Sequence, residues 1–179
     1  MRALITLIQL CFFRAKVQDL PYSIFWMFIG AGVLFACNTI VLEPTLIESS
    51  QAFGRDIPTL PVALTMVVTL GGSIWLFLRL RLKNERFVKT ATGIYGSTAL
   101  LHLISIPVSQ WALQKEAEPD QLALTIVWLL GLWVIAVTAR ILQEALDVEF
   151  IVAILYTLAA KILTVFGFMF VLLLIRVGG

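Results

Sequence analysis

Lys161 is the residue whose type and position most strongly indicate chemistry. It lies eleven residues into the apolar run 150–175, in which it is the only charged side chain. If that run crosses a membrane as a helix, the ammonium group lies roughly 15–20 Å from either interface, too far to reach water. A lysine at that depth costs about 2.5–3.5 kcal/mol and therefore usually faces a partner or a cavity. Lys161 is our leading candidate for a functional contact.

Other polar side chains follow the same helical spacing. Thr157 and Thr164 lie four residues before and three residues after Lys161, so they share its helix face. His102, the single histidine, lies in a second polar file on the run 90–112, and alternating helix directions place it at a depth similar to that of Lys161. The remaining polar positions within the apolar runs include Asn38, Thr65, Thr69, Tyr95, Thr98, Ser105 and Ser109.

These polar files have two interpretations. They can be seams along which helices pack, because hydroxyl and amide groups hold such seams at about 0.6–2 kcal/mol each. They can instead line a site for a ligand or an ion. No Asp or Glu lies deep in any apolar run, which disfavours proton-coupled transport through buried carboxylates. Lys161 is then neutral through desolvation, paired with an acid at a helix end, or paired with an acid of another subunit.

Small residues mark positions where helices can approach closely. Packing within the bundle explains them at least as well as dimerisation does. These positions are Gly30, Gly32, Gly71, Gly72 and the pair Gly93-x-x-x-Ser97.

Catalytic and cofactor-binding patterns are missing from the sequence. His102 has no accompanying cluster of Cys or carboxylate residues to hold a metal, and Cys11 and Cys37 form no CxxC pair. There is no phosphate-binding glycine loop with a lysine and no nucleophile elbow. The sequence therefore predicts a protein that is not an enzyme and that binds no metal or cofactor.

The composition indicates which solvent surrounds these residues. Hydrophobic residues make up 60% of the 179 residues and charged residues 13%, and the mean hydropathy is +0.99. A soluble domain has about 25% charged residues, so too little polar surface remains here to cover a globule in water. We therefore expect lipid to surround most of the chain.

Five apolar runs are long enough, at about 20 residues each, to cross roughly 30 Å of hydrocarbon as helices. Spanning strands would need a closed barrel, and the runs lack the period-2 alternation of barrel strands. The sequence therefore predicts an all-α polytopic membrane helix bundle over residues 21–179, with five transmembrane helices. The predicted spans are about 22–42, 59–78, 90–112, 121–139 and 150–175.

Prolines and glycines mark the connections between the spans. Pro44, Gly54 and Pro58 predict a loop from Glu43 to Pro58 between the first two spans. Pro107 falls inside the third span and predicts a kink or an end of that helix.

Residues 1–20 have a different pattern from the five runs. Arg2, Thr6, Gln9 and Lys16 share one arc of a helical wheel, and Leu, Ile and Phe fill most of the rest. This pattern is typical of an amphipathic helix lying in the membrane interface, with its cations near anionic headgroups. A frayed terminus is the alternative.

Lysines and arginines set the predicted orientation, because in short connectors they stay in the cytoplasm. Nine of the thirteen lie in alternate segments: residues 1–20, the connector 79–89, and Arg140 at the end of the fourth span. We therefore predict a multi-pass protein of the bacterial cytoplasmic (inner) membrane, with the N-terminus in the cytoplasm and the C-terminus outside. The other side carries several acids: Glu43, Glu48, Asp56, Glu116, Glu118 and Asp120.

The layout resembles the Yip-domain family, the Ypt/Rab-interacting membrane proteins of eukaryotes and their bacterial relatives. The resemblance rests on five closely spaced spans with short loops, and on three short motifs. These motifs are Thr92-Gly93-Ile94-Tyr95-Gly96, Ile106-Pro107 and Asp19-Leu20-Pro21-Tyr22-Ser23. It implies a scaffold or membrane-organising role with no catalytic residues.

The leading functional hypothesis is a small scaffold or accessory subunit that associates through its helices with itself, as a homo-oligomer, or with a larger membrane complex. The alternative is a carrier or channel for a small anionic or lipid-like ligand, with Lys161 as the cationic contact. The expected partners are the lipid bilayer and other membrane proteins. Nucleic acid is not expected, because the basic stretch 79–89 beside a span indicates topology and contact with anionic lipid.

Overall fold

The computed structural model describes residues 2–53, 57–113 and 121–177. Six α-helices and two short 3-10 turns make up nearly all of this part, which contains no strand. The predicted all-α helical bundle is therefore confirmed. The helices are α1 (Arg2–Cys11), α2 (Ile24–Phe53), α3 (Thr59–Leu80), α4 (Phe87–Leu113), α5 (Gln121–Leu146) and α6 (Phe150–Val177).

Helices α2 to α6 each contain a segment long and apolar enough to cross a membrane. Their outer faces carry large hydrophobic side chains, among them Phe25, Trp128 and Phe166, that no other part of the described chain covers. Water would make such faces strongly unfavourable, whereas hydrocarbon solvates them. The chain is therefore a multi-pass membrane protein.

Three helices extend beyond or through the predicted limits. Helix α2 continues through Pro44 to Phe53, so the predicted loop between the first two spans is mostly helical. Helix α4 likewise passes through Pro107 without ending there. A proline inside a helix removes one hydrogen bond and clashes with the preceding turn, but the buried Leu46 anchors the added turns of α2 to the bundle.

Helix α5 does not end near residue 139 but continues to Leu146. The added turns bury Ile141, Leu142 and Leu146 completely, and Arg140 pairs with Glu144 one turn later, at 3.1 Å. These turns form an amphipathic extension, which a search for uniformly apolar runs does not detect. Residues 54–56 of the predicted first loop and residues 114–120 of the predicted loop between the third and fourth spans lie outside the described residues.

Helix α1 ends at Cys11, so it is shorter than the predicted helix over residues 1–20. Phe13 adopts a left-handed backbone conformation with φ of 60°, and the Arg14 N–H donates to the Gln9 carbonyl at 2.8 Å. This pattern is a Schellman motif, which terminates a helix by satisfying its last carbonyls. The same left-handed conformation follows α3 at Leu82 and α5 at Asp147.

The five long helices form a closed ring in the order α2, α4, α5, α6, α3 and back to α2. Tyr95 of α4 crosses the interior, where its hydroxyl donates to the Val67 carbonyl of α3 at 2.9 Å. Helix α1 packs on the outside of α4.

Helix α1 contacts the middle of α4. A Cβ placed on Gly96 would lie 2.8 Å from the Leu7 side chain, and the Cys11 thiol donates to the Ser97 carbonyl at 3.9 Å. Gly96 lies nine residues after Phe87, or about 14 Å along the helix. The opposite face of α1 exposes several apolar side chains, so α1 has two apolar faces: one against the bundle and one outward. Its position relative to lipid headgroups stays a prediction.

Glycines allow the closest helix contacts. A Cβ on Gly30 of α2 would lie 3.1 Å from the Gly96 backbone nitrogen, so the two backbones nearly touch. Gly71 of α3 lies directly against the Tyr95 hydroxyl, and a Cβ on Gly167 of α6 would lie 2.6 Å from the Thr69 hydroxyl.

Candidate intramembrane site

Helices α4, α5 and α6 enclose a groove of about 380 Å³ that contains both His102 and Lys161. Lys161 lies eleven residues after the start of α6, and His102 lies fifteen residues after the start of α4. At 1.5 Å per residue, these positions are about 17 and 22 Å from the same end of the bundle. The two basic side chains that the sequence places at similar depth therefore line one groove in the middle of the spans.

Helix α5 forms the wall of the groove. Two pairs of residues at four-residue spacing line it: Val127 with Gly131, and Trp128 with Leu132. Trp128 is 75% exposed and Leu132 is 60% exposed, and a Cβ on Gly131 would meet no atom within 4 Å. The groove therefore opens sideways, on the outer surface of the bundle.

Neither basic side chain in the groove has a hydrogen-bond partner within residues 2–53, 57–113 and 121–177. The Nδ1 atom of His102 is buried without one. The Lys161 ammonium likewise donates no hydrogen bond and forms no ion pair within these ranges. A buried polar atom without a partner costs about 1–3 kcal/mol, and more if it is charged. The arrangement can therefore bind a group that brings its own acceptor into the groove.

The other polar residues proposed from the sequence do not line this groove. Thr157 and Thr164 are buried and donate to carbonyls of their own helix, those of Ala153 and Ala160, each at 2.9 Å. Ser105 similarly donates to the carbonyl of His102. Such bonds satisfy the hydroxyl groups within the helix.

Asn38 and Thr98 are also buried, but neither lines the groove. Asn38 lies on α2, which is not a neighbour of α6 in the ring. The candidate site therefore consists of Lys161 and His102, with a wall from α5 that the sequence reasoning missed. The signal in the sequence was Gly131 lying between Trp128 and Leu132.

The four residues proposed for helix packing differ in their surroundings. Gly71 contacts Tyr95, and Gly93 lies in ordinary van der Waals contact with Leu20 and Ile141. Ser97 is fully buried and donates to the Gly93 carbonyl at 2.7 Å. Gly72 faces outward, with no atom within 4 Å of a Cβ placed there, so it packs against no helix of the described chain.

One end of the bundle is held by ion pairs between two connectors. Asp147, which follows α5, pairs with Lys83 and, at 3.0 Å, with Arg86 of the α3–α4 connector. Arg86 also donates to the carbonyls of Glu144 and Ala145, each at 3.2 Å. The hydrogen bond from Lys83 and the nearby Arg86 hold the pKa of Asp147 below its usual value of 3.8.

The segment after α1 is attached to the same end. The backbone N–H of Val17 donates to Glu144 Oε2 at 3.0 Å, and the Lys89 ammonium donates to the Gln18 carbonyl at 2.8 Å. At this end of the bundle, these hydrogen bonds and ion pairs therefore join the cation-rich connector, the end of α5 and the N-terminal segment.

We expect replacement of Asp147 with asparagine to weaken the acid dependence of stability. A lowered pKa in the folded state gives stability that is present above the unfolded value near 3.8 and lost as the pH falls through the folded value. The Asp147→Asn variant should melt below the wild type at pH 6, and the difference should shrink below pH 3.8. Thermal unfolding in detergent at several pH values measures this. A Glu85→Gln control should leave the wild-type pH profile nearly unchanged, because Glu85 is exposed and lies as far as 4.0 Å from Arg86. An unchanged profile in Asp147→Asn would contradict the assigned ion pairs.

Together, the fold and the groove define a class of protein: a compact multi-pass helical membrane protein with two basic side chains in a lateral groove at mid-span. Comparison with protein-family models, with curated proteins and with solved structures gives no match to this chain. The groove is therefore the feature of this chain from which a function can be inferred.

Proposed function

We propose that this protein is a small scaffold or accessory subunit of the cytoplasmic membrane that acts by helix–helix association with itself or with a larger membrane complex. The observation that carries the proposal is the lateral groove, in which the described part of the chain offers no partner to Lys161. A basic group at that depth calls for a partner, and a groove open to the side admits one from outside the chain. The outward-facing Gly32 and Gly72 add places where another helix can approach closely.

The proposed orientation places the ion-paired end in the cytoplasm. Lys83, Arg86, Lys89 and Arg140 all make contacts at that end. Cations in short connectors favour the cytoplasmic side. We further propose that the chain is related to the Yip-domain family, a relationship that supports a membrane-organising role.

Native mass spectrometry after extraction in polymer-bounded native membrane discs tests the proposal. We expect the protein to leave the membrane in a complex, either as several copies or with another membrane protein. A strictly monomeric protein with no co-purifying membrane protein would overturn the proposed function.

The second candidate is a carrier for a small anionic or lipid-like ligand, which the side opening and the volume of the groove favour. Its test is uptake of a fluorescent fatty acid into vesicles that contain the purified protein. If Lys161→Met leaves the rate of uptake equal to that of the wild type, this candidate fails. Loss of complex formation with intact folding in the same variant favours the subunit.

A further inference from the structure

We infer that the groove around Lys161 and His102 binds a membrane-spanning helix of a different protein, and that this helix carries an Asp or Glu near its middle. The inference rests on the proposed function and names the chemistry of the partner. Three features carry it: the charge in the groove, the shape of the α5 wall, and the distribution of acids along this chain.

The charge in the groove calls for an acid. The groove contains an ammonium group and an imidazole whose buried Nδ1 has no hydrogen-bond partner in the described part of the chain. A carboxyl group has two oxygens, so one can accept from Lys161 while the other meets His102. A hydroxyl or amide partner would leave the lysine without a counter-charge in a medium that strongly penalises a lone charge.

The shape of the wall fits a helix. Val127 and Gly131 form one row at four-residue spacing along α5, and Trp128 and Leu132 form the next. Helices pack by placing the ridges of one between such rows of the other, and a glycine in the row lets the backbones approach. The space above Gly131 is open, and the exposed side chains of Trp128 and Leu132 can pack against a ridge of side chains on the partner helix. A helix is therefore the occupant that matches the whole wall.

A second copy of this chain cannot supply the acid. None of the five apolar runs contains an Asp or Glu. The acids nearest to the spans lie at or near their ends: Glu43, Asp120, Glu144 and Glu149. Lys161 lies twelve residues after Glu149, or about 18 Å along the helix, so an identical subunit brings no carboxylate to its depth. The partner is therefore a different protein.

Model helices in vesicles test the inference directly. The probe is a transmembrane peptide of leucine and alanine with one central Asp and a fluorescent acceptor, and the purified protein carries the donor. We expect energy transfer to show binding about tenfold tighter than that of the same peptide with a central Leu, as expected for one ion-paired hydrogen bond. Lys161→Met should remove the preference, and Lys161→Arg should retain it.

A second experiment exchanges the charges of the protein and the peptide, so that the test remains informative if Lys161→Met does not fold. A Lys161→Asp protein should prefer a peptide with a central Lys and lose its preference for the Asp peptide. Circular dichroism and size-exclusion chromatography check that each variant is folded. The matched control is Thr164→Val, which removes a buried hydroxyl of the same helix that lies outside the groove and should leave the preference unchanged.

Oleate in the vesicles distinguishes a helix from a free amphiphilic acid. If oleate occupies the groove and the Asp peptide shows no preference, the inference is overturned in favour of a small lipid-like ligand. Equal binding of all peptides to wild type and Lys161→Met also overturns it. If the native complex persists in Lys161→Met, the proposed subunit function stands while this inference fails. If the wild-type protein forms no native complex, the proposed subunit function fails, whatever the peptides show.

Discussion

Replacing Gly30 with leucine is expected to destabilise the bundle by about 3 kcal/mol, the upper range for overpacking a closely packed site. A side chain at Gly30 would point at the backbone of Gly96, whose nitrogen lies only 3.1 Å from the position of a Cβ. A backbone cannot move aside as a flexible side chain can, so α2 and α4 would have to separate. The free energy of unfolding, measured by SDS titration in mixed micelles, reports the effect.

Gly32 provides the matched control, because it lies on the same helix and a Cβ there meets nothing within 4 Å. Gly32→Leu should leave the free energy of unfolding equal to or slightly above that of the wild type, since leucine favours helix over glycine. Equal losses in both variants would show that the α2–α4 contact is not where we place it.

Replacing Leu142 with alanine is expected to cost about 2–5 kcal/mol, as for other fully buried leucines. Leu142 has no exposed surface and lies in the last turns of α5, beyond the predicted end of the span at residue 139. The free energy would be lost because these turns belong to the core, and truncation of the Leu142 side chain leaves a cavity there. The same SDS titration measures it.

Leu129→Ala is the control on the same helix. Leu129 is largely exposed on the outer face, where lipid solvates it in the folded state and lipid or detergent solvates it in the unfolded state. We expect a change of less than about 1 kcal/mol. If Leu142→Ala were as mild as Leu129→Ala, the extension of α5 would not belong to the folded core.

The five spans could be predicted from sequence because the bilayer sets a length and a polarity that few other segments satisfy. The helix limits could not. The end of α5 alternates buried residues such as Ile141 with charged ones such as Arg140, so its mean hydropathy falls although it remains helical. Pro44 indicated a loop, yet the cost of a proline inside a helix does not outweigh the continued packing of α2 at Leu46.

The candidate site was only partly predictable. Helix period and alternating direction placed His102 and Lys161 at similar depth, and both line one groove. Thr157 and Thr164 flank Lys161 in sequence, but their hydroxyls bond to their own helix. Sequence spacing identifies a face and cannot tell whether a hydroxyl is already satisfied.

Small residues show the same limit. Gly71 and Gly72 are adjacent in sequence and about 100° apart around the helix, so one contacts Tyr95 while the other faces outward. Gly96 was named only within the family resemblance, yet it contacts both α1 and α2. Which glycines pack depends on the order of helices in the ring, and that order is a property of the tertiary structure.

Spin-label accessibility tests most directly the central claim that the groove lies within hydrocarbon. Single nitroxide labels are placed at Leu132, beside the groove, and at Leu82, in the exposed connector, in a protein whose Cys11 and Cys37 are replaced with alanine. We predict that the label at Leu132 collides mainly with oxygen, which concentrates in lipid. The label at Leu82 should collide mainly with a water-soluble nickel chelate. A label at Leu132 more accessible to nickel than to oxygen would contradict the account.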